Sequence, residues 1–119
     1  MLTLGSTVLG VADMQRAMAF WMAALGYAPK EEPRADWVTL VPKDRTGAGL
    51  SLMPTETPVQ EHPRVHVDIF SPDRDAEVER LLGLGATRVD WDRYPEKPDF
   101  VVLADTEGNR FCVVDEDGA

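Results

Sequence analysis

The chain has 119 residues, 44% of them hydrophobic, and a formal net charge of −9 at pH 7, a size that suits one compact globular domain. Its acidic balance and its lack of clustered Lys and Arg argue against nucleic acid or an anionic membrane as a partner. No apolar run approaches the ~20 residues of a membrane span and residues 1–10 lack a signal-peptide pattern, so we expect a cytoplasmic protein.

The first half of the chain predicts a strand, a helix and two further strands. Residues 2–11 alternate between apolar and small side chains, as a half-buried strand does. Asp13 then offers an oxygen that can cap a helix, apolar residues recur at helical spacing, and Gly26 can end the helix. Residues 36–42 (DWVTLVP) and 50–53 predict the strands that complete this half.

The second half repeats this order after a proline-rich linker at residues 54–63, in which we expect His62 to face solvent. Asp73 and Gly85 bound the predicted second helix by the same cap chemistry as the first. The predicted strands of this half are at residues 65–70, 87–91, 100–104 and 110–114. We interpret the DTEGN sequence between the last two as the turn of a hairpin and not as a phosphate-binding loop.

The strand at residues 65–70, VHVDIF, places two titratable groups on one face. Because side chains alternate along a strand, His66, Asp68 and Phe70 lie on the same side. Residues two apart on a strand are separated by ~7 Å, so we expect His66 and Asp68 to interact through a water rather than directly.

The two halves form a tandem repeat. A shift of 60 residues superposes Ser6 on His66, and a shift of 59 superposes Gly26 on Gly85. The predicted fold class is therefore α+β, with two tandem βαβββ modules. The predicted boundaries are residues 1–53 for module one, 54–63 for the linker, 64–115 for module two and 116–119 for an acidic tail.

The paired modules, the strand RVHVDI and the closing hairpin ADTEGNRFCVV resemble the vicinal oxygen chelate superfamily. This superfamily contains glyoxalases, bleomycin-resistance proteins and extradiol dioxygenases. The resemblance covers nearly the whole chain and is most specific in VLGVADM near the start and DTEGN near the end. It implies that the sheets of the two modules form a half-open, cleft-containing barrel, and that the protein is a homodimer.

In metal-dependent members of this superfamily, inner-face side chains of both modules hold one divalent ion. The matching positions here are Ser6, His66 and Cys112, with the remaining inner position of module one near Leu52. A serine hydroxyl is a poor neutral ligand, and a His–Cys pair needs further donors such as Asp68 to hold Zn²⁺. We therefore expect no cofactor; the alternative is one divalent metal ion, for which His66 is the retained ligand.

Two uses of the cleft remain open. In the first, the protein binds a small aromatic or cationic molecule without chemistry, as bleomycin-resistance proteins do. In the second, it is a glyoxalase- or dioxygenase-type enzyme, an isomerase, lyase or oxygenase, that uses a metal or uses His66 as a base oriented by Asp68. The candidate ligand-binding residues are Ser6, Trp37, Thr39, Phe70, Trp91, Tyr94 and Cys112.

Each of these aromatic residues is explained as well by core packing. Cys112 is the only cysteine, which fits a reducing compartment, and a lone cysteine is more often a small buried hydrophobe than a nucleophile.

Overall fold

The computed structural model describes residues 1–44 and 46–116 and divides the chain into two compact units, residues 1–58 and the residues from 59 onward. Each unit contains one α-helix and a four-stranded mixed sheet in βαβββ order, so the predicted α+β fold of two modules is confirmed. The division falls within the proline-rich segment 54–63. Most of the predicted acidic tail, residues 117–119, lies outside the described residues.

The elements of the first unit are β1 (Ser6–Val11), α1 (Met14–Leu25), β2 (Tyr27–Pro29), β3 (Val38–Pro42) and β4 (Gly49–Pro54). The sheet order is β1-β4-β3-β2, in which β1 and β4 are parallel and the other pairs are antiparallel. The caps of α1 are those the sequence predicts. The Arg16 amide donates to Asp13 Oδ1 over 3.0 Å, and Gly26 ends the helix with φ of 70°.

The core of the first unit lies between α1 and one face of its sheet. Phe20 and Trp21 of α1 are 3% and 1% exposed and their rings meet edge to face, so they are core residues. Leu40 and Leu52 are fully buried in β3 and β4. In the described residues, neither helix has the length and apolar character to cross a membrane.

The elements of the second unit are β5 (Asp68–Ser71), α2 (Arg74–Leu84), β6 (Thr87–Arg88), β7 (Phe100–Ala104) and β8 (Arg110–Asp115). The sheet order, β5-β8-β7-β6, repeats that of the first unit, with β5 and β8 parallel. Val78 and Leu81 of α2 are buried, as are Phe111 and Val113 of β8. Asp73 caps α2 and Gly85 ends it, both as predicted.

Four predicted strands are shorter than the sequence suggests. The strand predicted over residues 2–11 begins at Ser6, and the one predicted over residues 36–42 begins at Val38. The strand predicted from residue 65 begins only at Asp68, because Asp68 is the first residue with a ladder partner on β8, and Val65 is 76% exposed. The strand predicted over residues 87–91 ends at Arg88, so Trp91 lies in the following loop.

The turn between β7 and β8 is built around Asp105, which is 3% exposed. Its Oδ1 accepts hydrogen bonds from the amides of Glu107 and Asn109, at 2.8 and 2.9 Å. Gly108 has φ of 90°, in the left-handed region that favours glycine. The DTEGN sequence is therefore a hairpin turn, as predicted.

Candidate functional site

One face of the second sheet carries three of the predicted site residues, Asp68, Phe70 and Cys112. Asp68 pairs with Cys112 and Phe70 pairs with Val114 across β5 and β8, while Val102 of β7 pairs with Cys112 from the other side. Because side chains alternate, these residues share one face of the sheet, opposite the face that packs against α2.

His66, Asp68 and Cys112 converge on this face. One candidate ligand atom from each residue lies within 4.8 Å of the others. His66 Nε2 is 3.1 Å from Asp68 Oδ1, so the two side chains are hydrogen-bonded directly and the predicted water-mediated separation is wrong. The reason is local: His66 precedes the regular strand, so the ideal spacing along a pleated strand does not apply to it.

Cys112 is a protonated thiol at neutral pH. Burial raises its pKa to about 11, and the nearby Asp68 carboxylate adds to the shift through its charge and a hydrogen bond. A nucleophilic cysteine needs a depressed pKa, so this environment does not favour nucleophilic catalysis by Cys112.

The same three residues can be tested as a metal site. They offer an imidazole, a carboxylate and a sulfur, and the sulfur must lose its proton to bind. This set fits Zn²⁺, which binds nitrogen and sulfur and deprotonates a coordinating thiol, and does not fit Mg²⁺, which prefers oxygen ligands. His66 is thus one of three candidate donors, whereas the sequence left it as the single retained ligand.

A cavity of about 740 Å³ opens over this face. Ligand pockets for small molecules are typically ~300–1,000 Å³ and lined by apolar and aromatic side chains with a few polar groups. Phe70, Trp91 and Phe100 supply aromatic surface here, beside His66 and Cys112. Phe70 is 62% exposed, which is unusual for so large an apolar side chain. Phe70, Trp91 and Cys112 therefore line one cavity, together with His66 and Asp68.

The rim of the cavity includes His62, which the sequence analysis expected to face solvent. His62 Nε2 lies 2.7 Å from Asp92 Oδ1, and its ring is 5.1 Å from that of Trp91. The hydrogen bond with His62 lowers the pKa of Asp92. His62 is exposed, as expected, and its hydrogen-bond partner lies 30 positions later, which local sequence cannot reveal.

Tyr94 does not line the cavity, although it was a candidate ligand contact. Its hydroxyl accepts a hydrogen bond from the Val102 amide over 2.8 Å, and its ring lies 5.3 Å from that of Phe100. Tyr94 therefore supports Phe100, which does line the cavity and which the sequence analysis did not select.

The remaining candidates, Ser6, Trp37 and Thr39, belong to the first unit and share a hydrogen-bonded row. Trp37 Nε1 donates to Thr39 Oγ1 over 3.1 Å, and the Ser51 hydroxyl lies 2.9 Å from those of both Thr39 and Ser6. The inner position, expected near Leu52, is the adjacent Ser51, which pairs with Val8 and Thr39.

The sheet register explains why the inner position could be located only approximately from the sequence. Ser51 pairs with Val8 and Thr39, as Cys112 pairs with Asp68 and Val102, so Ser51 is the structural counterpart of Cys112. The two residues are 61 positions apart, whereas the helices match at 59. A repeat comparison that allowed the spacing to change from 59 residues in the helices to 61 in the last strand would have matched Ser51 to Cys112.

Sequence reasoning missed three arginines that line the cavity, Arg64, Arg93 and Arg110. Arg110 lies on β8 two residues before Cys112, so strand alternation alone could have placed it on the same face. Arg64 and Arg93 lie outside regular elements, and no sequence pattern points to them.

A family model described as a glyoxalase-like domain matches residues 6–114. No curated protein matches the chain in sequence. Among solved structures, the fosfomycin resistance protein FosX from Listeria monocytogenes, in complex with Mn(II) and 1S,2S-dihydroxypropylphosphonic acid, has a TM-score of 0.75 at 15% identity and is matched over 97% of this chain and 90% of its own.

Two further structures are similar. A glyoxalase/bleomycin resistance protein/dioxygenase family enzyme from Burkholderia phytofirmans PsJN has a TM-score of 0.72 at 15% identity, over 94% of this chain and 97% of its own. The antibiotic-binding protein TnmS3 from Streptomyces sp. CB03234 has a TM-score of 0.65 at 19% identity, over 96% and 95%. At these identities the likeness shows the fold alone. With residues 6–114 matched by its model, the chain belongs to the glyoxalase-like domain family.

Proposed function

We propose that the protein binds a small planar aromatic molecule in the cavity of its second unit and that binding requires no metal. The observation that carries this proposal is the cavity of about 740 Å³ with Phe70, Trp91 and Phe100 in its lining. Aromatic side chains bury a large area and stack on planar ligands, while a few polar groups fix orientation.

The sequence is compatible with an aromatic or a cationic ligand, the latter because the whole chain is acidic. The lining of the cavity weighs against a cation. It carries three arginines and two aspartates, and one of those aspartates, Asp68, is already hydrogen-bonded to His66. We therefore propose a ligand that is aromatic and is not a cation.

The known behaviour of similar structures is compatible with a binding role. TnmS3 is an antibiotic-binding protein, and FosX was solved with a small phosphonic acid. Related folds carry different functions, so these names support small-molecule binding as a class and do not identify a ligand.

Isothermal titration with 2-naphthoate and 2-naphthamide tests the proposal. We expect saturable one-to-one binding of at least one probe to metal-stripped protein. Val114→Trp should weaken it strongly, because Val114 lies between Phe70 and Phe100 in the sheet register and an indole there occupies the space beside both rings.

The matched control is Leu84→Trp, which adds the same side chain at the partly exposed end of α2. This variant should bind like the wild type. Equal binding by Val114→Trp and wild type, or no saturable binding of either probe to wild type, would refute the cavity as the binding site for such molecules.

The second candidate function is an enzyme of the glyoxalase or dioxygenase type. The observation that favours it is the convergence of His66, Asp68 and Cys112, which can serve as an acid–base pair or hold Zn²⁺. A Zn²⁺ ion held there would act as a Lewis acid on a bound oxygen. Calorimetric titration of Zn²⁺ into chelator-stripped wild type and His66→Ala distinguishes the candidates: tight stoichiometric binding lost in the variant would favour the enzyme over the metal-free binder.

A further inference from the structure

The charge of the cavity lining differs from that of the chain as a whole. The chain carries a formal net charge of −9, yet Arg64, Arg93 and Arg110 face the cavity against the carboxylates of Asp68 and Asp99. A locally cationic lining within an acidic protein concentrates positive potential where a ligand enters.

Arg110 is the arginine best placed to act on a ligand. It extends from β8 on the face that carries Cys112 and Val114. Its Nη1 donates to the Glu61 carbonyl oxygen over 3.0 Å, which anchors one end of the guanidinium. Its Nε is buried and has no hydrogen-bond partner among residues 1–44 and 46–116.

A buried donor without an acceptor is unfavourable, and more so in a charged group. An oxyanion that enters the cavity can draw the guanidinium towards it and pair with its donors. The planar fork of arginine suits the two oxygens of a carboxylate, sulfonate or phosphonate, which bind it bidentately.

We infer that the ligand of this cavity is an aromatic oxyanion, whose charged group pairs with Arg110 and whose planar body lies against Phe70 and Phe100. This inference rests on the proposed function and narrows it to one chemical class. Arg64 and Arg93, from the loops before β5 and after β6, add charge around the entrance. The apolar body is bound by contact area, and the arginines select the sign of its substituent.

Three probes with the same bicyclic body test the inference by isothermal titration. They are 2-naphthoate, neutral 2-naphthamide and cationic 2-naphthylmethylamine. We expect 2-naphthoate to bind about 10-fold tighter than the amide, and the cation to bind weakest. Raising salt from ~50 mM to ~500 mM should weaken binding of the anion and leave that of the amide nearly unchanged.

Arg110→Gln should remove most of the preference for 2-naphthoate, with a loss of about 10-fold in its affinity, and change the affinity for the amide less than about 2-fold. Arg88→Gln is the matched control, because Arg88 lies on β6 and pairs with Glu79 outside the cavity lining. If Arg110→Gln does not fold, as judged by circular dichroism, Arg93→Gln and the salt dependence carry the test.

The outcomes separate the two proposals. No saturable binding of any probe would overturn the proposed function, and the inference with it. Binding of the amide or the cation as tight as that of 2-naphthoate would overturn the inference and leave the proposed function standing. An unchanged charge preference in Arg110→Gln would overturn the role of Arg110.

Discussion

At the scale of single residues, the environment of Cys112 has a measurable chemical consequence. Burial and the Asp68 carboxylate raise the pKa of the thiol to about 11 from the ordinary value of 9.0. The folded chain therefore holds this proton more tightly than the unfolded chain does. The contribution of the thiol to stability is complete below about pH 9 and is lost as the pH rises through about 11.

We predict that alkylation of Cys112 by iodoacetamide rises with a midpoint near pH 11 in the native protein. Asp68→Asn should move that midpoint down, and only part of the way, because burial is the larger cause of the shift. Mass spectrometry measures the reaction without ambiguity, since Cys112 is the only cysteine. A wild-type midpoint close to the ordinary value would contradict this description of the site.

The positions and contacts of the side chains at the candidate site could be predicted only in part from the sequence. Alternation correctly placed Asp68 and Phe70 on one face, because the period of a strand does not depend on its neighbours. The direct His66–Asp68 hydrogen bond was missed, since it depends on where the strand begins. Arg64 and Arg93 were missed because their position over the cavity depends on loop conformation, which no local pattern encodes.

At the scale of elements, the two glycines near the end of α2 have opposite roles. Gly85 ends the helix with φ of 117°, and a Cβ there would lie 3.0 Å from Thr106 Cγ2. Gly83 is helical, and a Cβ there would meet nothing within 4 Å.

We therefore predict that Gly85→Ala destabilises the protein by ~1–3 kcal/mol, the usual cost of a non-glycine residue held in such a conformation. Gly83→Ala should stabilise it by ~0.5 kcal/mol, because alanine loses less backbone entropy in a helix. Urea denaturation of the two variants and wild type measures both free energies of unfolding. The opposite order, with Gly83→Ala the less stable, would show that the end of α2 is not formed as described.

Helix boundaries were the most predictable feature of the elements. Asp13 and Gly26 bound α1, and Asp73 and Gly85 bound α2, because each cap residue acts on backbone groups within a few positions. Strand boundaries were less predictable, since a strand lasts only as long as its partner does. The strand expected from residue 65 begins at Asp68 because the ladder with β8 begins there.

At the scale of the whole molecule, the tandem repeat made the fold predictable, and both units have the same strand order. The repeat did not predict that residues at corresponding positions of the two units have different surroundings. Ser6 and Ser51 in the first unit are hydrogen-bonded to each other, whereas His66 and Cys112, their counterparts in the second, face a cavity beside Asp68. The chemistry proposed here therefore resides in the second unit.

The most direct test of the proposed aromatic binding is an NMR titration of ¹⁵N-labelled protein with 2-naphthoate. The chain has three tryptophans, whose indole N–H signals report separately. We predict saturable shifts for the Trp91 indole and the Phe70 and Cys112 amides, which belong to cavity-lining residues, and none for the indole of Trp21, which is buried in the core of the first unit. No saturable shift at Trp91, or equal shifts at Trp21, would contradict binding in this cavity.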